Sequence, residues 1–175
     1  MEKRIAVMAV NPVNGYGLFH YLESFFENHI PFTVYAVAGT KTIKTNSGLT
    51  IVADDVIANL KGHSKDYEAL VFSCGDAMPT FADHISKDYN QDMLAVIKEF
   101  DEAGKLIAGH CVGGLLFDIA GILKGRTVAA HPFVQSAIKG GKATNDPYMV
   151  DGKLYTAQTE NTLSSLMPLL ISALK

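Results

Sequence analysis

The chain has 175 residues, of which 48% are hydrophobic and 19% are charged, values that fit one globular domain with a substantial core. Fifteen Lys and Arg residues against eighteen Asp and Glu residues leave a net charge of −3, and without a basic run no nucleic-acid partner is expected. The apolar stretch near the N-terminus is too short for a membrane span. We therefore expect one domain over residues 1–175, located in the cytoplasm, with no membrane partner.

Segments with strand and helix patterns alternate along the chain. An apolar, β-branched segment at 4–10 predicts a first strand, and apolar residues at helical spacing in 18–28 predict a helix after it. Later strands are predicted at 32–38, 68–73, 106–110, 127–130, 148–150 and 154–158, a hairpin within 39–53, and helices at 56–61, 92–103, 112–122 and from about 164. This alternation predicts a flavodoxin-like three-layer α/β sandwich: a mostly parallel central sheet with helices on both faces.

The residues around Cys111 form the most distinctive pattern. Cys111 falls between the strand at 106–110 and the helix at 112–122, with Gly109 and Gly113 two positions away on either side. The pattern G-x-C-x-G at such a switch is typical of a nucleophile elbow, in which a sharp turn lifts a reactive side chain above a sheet. A cysteine at a helix N-terminus also tends toward the thiolate. The alternative is an inert, buried cysteine, because free cysteine is commonly buried.

Metal and disulfide chemistry are not indicated. Cys74 and Cys111 are too few for the disulfide framework of a secreted domain. The six histidines form no HExxH motif, and no paired Cys-x-x-Cys is present, so neither a metal site nor a cofactor is expected.

Four local motifs, in order, resemble the ThiJ/PfpI family of the class I glutamine amidotransferase-like superfamily, in particular its deglycase and isonitrile hydratase branches. The motifs are SGLTIVAD, DYEALVFSCGD, GKLIAGHCVGGLLFDIAGILKGR, and the tail from TVAAHP to DGKLYTAQ. The resemblance implies that Cys111 is the nucleophile and that the amides of Val112 and of either Gly75 or Asp76 form an oxyanion-type pocket. It also implies that His131 lies near the nucleophile; the alternative is a strand-end histidine bonded to backbone.

Two departures from the family pattern concern the acid–base groups. Many members carry an acid after the first strand, but this stretch reads NPVNGYGLF, and Gly15 with Asn14 falls at that place. Asp76 is a candidate substitute acid; its alternatives are an exposed loop carboxylate or the cap of a helix opened by Pro79. His110 precedes the cysteine, and neighbours on a strand point to opposite faces, so we expect His110 not to share the pocket of Cys111.

These observations predict a cysteine-dependent enzyme acting on a small carbonyl or nitrile-like electrophile by hydration or hydrolysis. A peptidase is not expected, because no Cys-His dyad follows from the sequence. The alternative is a non-enzymatic redox sensor or small-ligand binder in which Cys111 is oxidised. By the same resemblance we expect a homodimer.

Overall fold

The computed structural model describes residues 4–175. Its strands are β1 (Ile5–Val10), β2 (Phe32–Val37), β3 (Thr42–Lys44), β4 (Thr50–Val52), β5 (Asp55–Val56), β6 (Ala69–Ser73), β7 (Leu106–His110), β8 (Thr127–Ala129), β9 (Lys142–Thr144), β10 (Tyr148–Asp151) and β11 (Leu154–Ala157). Its α-helices are α1 (Gly15–Glu27), α2 (Asp88–Glu102), α3 (Gly113–Ile119), α4 (Pro132–Gln135) and α5 (Leu163–Leu174).

The central sheet has seven strands in the order β10-β11-β7-β6-β1-β2-β5. All neighbouring pairs are parallel except β10 with β11, which form an antiparallel hairpin. All six residues of β1 are buried, and because successive side chains point to opposite faces of a sheet, both faces must be covered. Helix α1 packs with α5, and α2 packs with α3. The predicted α/β sandwich is confirmed.

Apolar periodicity located the long helices well. Helix α1 buries Leu18, Tyr21 and Phe25, and the side chain of Asn14 caps it by accepting from the Gly17 N–H at 2.7 Å. Helix α5 begins at Leu163, one residue before the predicted start, and contains Pro168 in its interior. No helix within residues 4–175 has both the length and the apolar character needed to cross a bilayer.

The predicted helix at 56–61 is wrong. Strand β5 and a 3-10 turn at Ile57–Asn59 occupy this segment. The carboxylate of Asp54 accepts from the Val34 N–H at 2.8 Å, and that of Asp55 from the Val56 N–H at 2.8 Å. The Asp54 carboxylate therefore binds to β2, and the Asp55 carboxylate binds within β5.

Two small sheets lie outside the central one. Strands β3 and β4 form the predicted hairpin. Strand β8, which was predicted, pairs in parallel with β9, which was not. The chain then continues from β8 to His131 beside the end of β7, where the backbone N–H of His131 donates to Cys111. This connection contributes to the edge of the candidate site.

Candidate active site

Cys111 lies at a sharp turn between β7 and α3, as the sequence predicted. Its φ is +58°, in the left-handed region that a residue with a Cβ rarely adopts. Such a conformation costs roughly 1–2 kcal/mol and persists only where the surroundings hold it. Two backbone hydrogen bonds do so: the Cys111 N–H donates to the Ala157 oxygen at 3.2 Å, and the His131 N–H donates to the Cys111 oxygen at 2.9 Å.

The two flanking glycines are required by packing. A Cβ on Gly109 would lie 2.8 Å from the ring of Phe117, a residue of α3. A Cβ on Gly113 would lie 3.1 Å from the ring of Phe72 in β6. The G-x-C-x-G pattern therefore lets α3 pack closely against β6 and β7, which fixes the position of the elbow above the sheet.

The thiol of Cys74 is the neighbour of Cys111 that sequence reasoning missed. Strands β6 and β7 are paired with Phe72 opposite Gly109, and two further residues on each strand bring Cys74 beside Cys111. Both thiols line the same cavity, and each shifts the pKa of the other. Cys74 follows the end of β6 as Cys111 follows the end of β7, so the strand-end position that identified Cys111 applies to it equally.

The two thiols differ in acidity. The pKa of Cys111 is lowered, first by the hydrogen bond from Cys74 and further by the Val112 N–H; burial and the charges of Glu160 and Asp76 oppose this shift. The pKa of Cys74 is raised well above its usual value, first by its hydrogen bond to Cys111 and then by burial. Cys74 is 3% exposed, whereas Cys111 is only partly buried. When the pair loses one proton, the negative charge therefore resides on Cys111 and the remaining proton on Cys74.

The backbone amides beside the sulfurs match the predicted oxyanion-type pocket in part. The Val112 N–H acts to lower the pKa of both thiols, and the Gly75 N–H acts to lower that of Cys74. The Asp76 N–H is occupied by the side-chain oxygen of Asn46 at 3.0 Å. Of the two alternatives left open by the sequence, the geometry favours the amide of Gly75.

A cavity of about 570 Å³ opens above Cys111. Its walls are largely apolar, formed by Met78, Phe81, Leu115, Ile119, Phe133 and Val134. Cys74, Gly75, Val112 and Asn14 also line it. A concave apolar site with a few convergent polar groups is the usual form of a small-molecule site.

Two carboxylates line this cavity. Asp76 lies in an exposed loop, and it caps no helix, because the 3-10 turn at Met78–Thr80 begins after Ala77. Glu160 follows the end of β11 and opens a 3-10 turn capped by Thr159. The sequence reading missed Glu160, although it follows a strand that neighbours β7. Within residues 4–175 no three His, Cys, Asp or Glu side chains cluster as a metal site would require.

His131 satisfies both descriptions that the sequence left open. It lines the Cys111 cavity. Its ring Nδ1 also accepts from the Phe133 N–H at 3.2 Å, which caps the short helix α4, and the ring stacks on that of Phe133. Because Nδ1 is the acceptor in this bond, Nε2 is the ring nitrogen left to face a ligand.

Asn14 and Gly15, the two positions at the place of the missing acid, lie in different surroundings. Asn14 lines the cavity, but its side-chain oxygen is used to cap α1. Gly15 lies on an outer surface of α1, where a Cβ would meet the side chain of Thr45 at 3.4 Å. The structure thus corrects the prediction for Gly15, because the first turn of α1 directs this position away from Cys111.

His110 also departs from expectation, because it is among the residues that line the Cys111 cavity. Its imidazole, however, is buried against α1, with Nδ1 3.2 Å from the Tyr21 hydroxyl and Nε2 2.8 Å from the place of a Cβ on Gly17. Burial lowers its pKa to about 3, so the ring is neutral. No side-chain hydrogen bond joins His110 to Cys111 in the described residues, in agreement with the absence of a Cys-His dyad.

Comparisons with known proteins place the chain in a family. Residues 3–173 match the DJ-1/PfpI family. The chain is 55% identical over 175 residues to Protein ppBat of Bacteroides thetaiotaomicron, covering all of both chains. A crystal structure from the same organism, provisionally named protease I, superposes with a TM-score of 0.98 at 55% identity over 99% of both chains. A DJ-1 superfamily protein from Salmonella typhimurium shares the fold, with a TM-score of 0.86 at 20% identity over 98% of this chain and 90% of its own. The chain therefore belongs to the DJ-1/PfpI family, also called ThiJ/PfpI.

Proposed function

We propose that the protein is an enzyme that hydrates or hydrolyses a small, uncharged carbonyl or nitrile-like electrophile, with Cys111 as the nucleophile. The observation that carries this proposal is the thiol pair at the cavity: the pKa of Cys111 is lowered, that of Cys74 is raised, and both residues line the cavity. A partly exposed, low-pKa cysteine is the reactive kind, whereas a structural cysteine is buried and inert.

The Cys111 sulfur attacks the electrophilic carbon, and negative charge develops on the substrate oxygen or nitrogen. The Val112 N–H, and beside it the Gly75 N–H, are placed to stabilise this charge. Fixed amides of this kind need no reorganisation during the reaction, and removing one such donor typically costs about 10²–10³ in kcat. With a nitrile the adduct is a thioimidate: water adds to its C=N carbon, the C–S bond breaks, and the amide leaves as the Cys111 thiolate is restored. With a 2-oxoaldehyde the adduct is a hemithioacetal: a proton moves from its C1 to the neighbouring carbonyl group to give a thioester, and water hydrolyses the thioester to the 2-hydroxy acid and the free thiol.

The cavity favours an uncharged substrate with an apolar portion. Its apolar wall offers little solvation to a charged group, and the carboxylates of Asp76 and Glu160 repel an anion. Both charges raise the pKa of Cys111, so both act over the distance to the sulfur. A neutral aldehyde, ketone or nitrile meets neither obstacle.

Peptidase activity is not proposed, although a relative carries the provisional name protease I. Cysteine peptidases use an imidazole to move the proton of the thiol. In this chain the partner of Cys111 is a second thiol, and the neighbouring His110 is hydrogen-bonded to Tyr21 in the core.

The proposal is tested by turnover of neutral electrophiles, with methylglyoxal and an alkyl nitrile as probes and anionic glyoxylate as the comparison. We expect turnover of a neutral probe, weaker turnover of glyoxylate, and complete loss of turnover in Cys111→Ser. Ser73→Ala is the matched control, because Ser73 is buried at the end of β6 outside the cavity. Equal turnover in wild type and Cys111→Ser, or turnover of no neutral probe, would refute the proposal.

A further inference from the structure

The relationship between Cys74 and Cys111 has the geometry of a potential disulfide. The two residues follow adjacent parallel strands at matching positions, since Phe72 pairs with Gly109 two residues earlier on each strand. Adjacent strands lie about 4.8 Å apart, within the 4.4–6.8 Å between Cα atoms that a disulfide spans. Both residues line the same cavity, and each thiol shifts the pKa of the other. The register of the two strands therefore places the two residues within reach of a cross-link.

We propose that Cys111 and Cys74 form a peroxide-driven redox site, in which Cys111 is oxidised first and Cys74 then closes an intrachain disulfide with it. The inference rests on the same reactive Cys111 as the proposed function and assigns a reversible off state to that site. Cys74, assigned no step in turnover, is the resolving thiol.

The two steps balance with a hydroperoxide as the oxidant. The Cys111 thiolate attacks the terminal peroxide oxygen; an S–O bond forms, the O–O bond breaks, and the alcohol or water leaves after taking a proton, which gives a sulfenic acid. The Cys74 sulfur then attacks the Cys111 sulfur, an S–S bond forms, the S–O bond breaks, and hydroxide leaves as water with the proton of Cys74. Two thiols are oxidised and one peroxide is reduced.

The order of the steps follows from exposure. Cys111 borders the cavity and is partly exposed, whereas Cys74 is 3% exposed beneath it. Peroxide therefore meets Cys111 first, and this cysteine is the more acidic of the two. Cys74 reacts more slowly with the oxidant because its raised pKa keeps it a thiol. Oxidation therefore begins at Cys111 and not at Cys74.

The first step also activates the second. The pKa of Cys74 is held high chiefly by its hydrogen bond to Cys111, while the N–H groups of Val112 and Gly75 act to lower it. Conversion of Cys111 to the neutral sulfenic acid removes the neighbouring negative charge but leaves both amides in place. The Cys74 thiol becomes more acidic at the moment when it must act as a nucleophile.

The disulfide would remove Cys111 as a nucleophile and would protect its sulfur from further oxidation. Without a resolving thiol, a sulfenic acid that meets a second peroxide proceeds to the irreversible sulfinic acid. With Cys74 in contact, ring closure requires no diffusion and precedes this second encounter. A thiol reductant then restores the enzyme.

The test treats reduced protein with one equivalent of hydrogen peroxide, blocks free thiols under denaturing conditions, and maps peptides without reduction. In wild type we expect a peptide pair joined through Cys74 and Cys111, an intact monomer two hydrogens lighter, and full reversal by dithiothreitol. In Cys74→Ser and Cys74→Ala we expect sulfenic and sulfinic acid at Cys111. In Cys111→Ser we expect Cys74 to remain a free thiol.

Sulfinic acid at Cys111 with Cys74 still free in wild type would overturn the inference, and so would a disulfide between chains in place of the intrachain one. The wild-type result stands even if a Cys74 variant fails to fold. The readout is independent of turnover. Turnover through Cys111 without a disulfide would defeat only this inference, and a disulfide without any turnover would defeat only the proposed function.

Discussion

The backbone N–H of His131 donates to the carbonyl oxygen of Cys111 at 2.9 Å, which joins the end of β8 to the strained elbow. The same residue caps α4 through its ring Nδ1. His131 thus supports the nucleophile through its backbone and the adjoining cavity wall through its side chain. Only the second contribution depends on the imidazole.

The role of the His131 side chain is separated by comparing His131→Asn with His131→Ala. The Asn side chain accepts the same Phe133 N–H bond, whereas Ala leaves that amide without a partner. We expect the free energy of unfolding to fall by about 1 kcal/mol in His131→Ala and by less in His131→Asn. Chemical denaturation measures the free energy of unfolding of each variant. We expect kcat to survive in His131→Asn; its loss in both variants at equal stability would instead assign the imidazole to the chemistry.

The hydrogen bond from Cys74 should control the acidity of Cys111. In wild type the pKa of Cys111 is lowered, so its rate of iodoacetamide alkylation should reach half-maximum at a pH below that of a free thiol, about 8.5. Cys74→Ala removes the largest lowering influence, so the midpoint should move to higher pH. Cys74→Ser retains an O–H donor and should shift it less. Peptide-resolved mass spectrometry reports Cys111 alone in all three proteins.

A midpoint that does not change between wild type and Cys74→Ala would contradict this account of the thiol pair. It would leave the Val112 amide as the principal cause of the acidity. A wild-type midpoint at or above that of free cysteine would contradict the nucleophile itself.

The carboxylate of Glu160 should set the charge preference of the cavity. Its charge raises the pKa of Cys111, so Glu160→Gln should move the alkylation midpoint to lower pH. The same change should increase the rate with iodoacetate more than the rate with neutral iodoacetamide, because one repelling charge is removed. Glu23→Gln on the outer surface of α1 is the matched control. An iodoacetate-to-iodoacetamide ratio that Glu160→Gln leaves unchanged would refute this assignment.

The loop after β6 should tolerate no side chain at Gly75. A Cβ there would lie 2.3 Å from the Pro12 oxygen, 2.5 Å from the Val13 Cα and 2.7 Å from the Asn14 nitrogen, all of them backbone atoms. We expect Gly75→Ala to lower the free energy of unfolding by roughly 1–3 kcal/mol, as overpacking typically does, and to slow alkylation of Cys111 by displacing the loop. Gly39→Ala, where a Cβ meets nothing within 4 Å, is the control. Equal stability of the two variants would contradict this packing.

The sequence located the elements that depend on local patterns. Apolar periodicity identified α1 and α2, and the glycine spacing identified the turn at Cys111. The failures involve contacts between distant segments. The pairing of β8 with β9 and the hydrogen bond from the Val34 N–H to Asp54 each require knowledge of which segments are neighbours. Neither relationship has a signature in a single stretch of sequence.

The candidate site shows the same division. Cys111 was identified from its own neighbourhood, but its partner Cys74 lies 37 positions earlier and becomes adjacent only through the register of β6 with β7. Glu160 reaches the cavity because β11 pairs with β7. The expectation that His110 would lie away from the cavity is only partly met, because His110 lines the cavity while its ring is in the core. The predicted homodimer stays a prediction.

The buried imidazole of His110 should make the protein sensitive to mild acid. Its pKa is lowered to about 3 by burial, with a smaller effect from the charge of His20. In the unfolded chain the pKa returns to about 6.5, so unfolding takes up a proton at any pH between the two values. Stability is then fully present above about pH 6.5 and decreases as the pH falls toward 3, by about 1.4 kcal/mol per pH unit for one proton.

Urea denaturation of wild type and His110→Gln at pH 6.5, 5.5 and 4.5 measures this effect. Both proteins share every other titrating group, so the difference between their stabilities isolates His110. His110→Gln should be less stable at pH 6.5, because the contacts of the ring with Tyr21 and Gly17 are lost. Its disadvantage should shrink by about 1.4 kcal/mol for each unit of acidification, since only the wild-type protein must keep a neutral imidazole buried. Equal changes of stability with pH in the two proteins would contradict this prediction. They would mean that His110 is protonated in the folded protein and that its Nε2, which has no partner among the residues that the structure describes, donates a hydrogen bond to an acceptor.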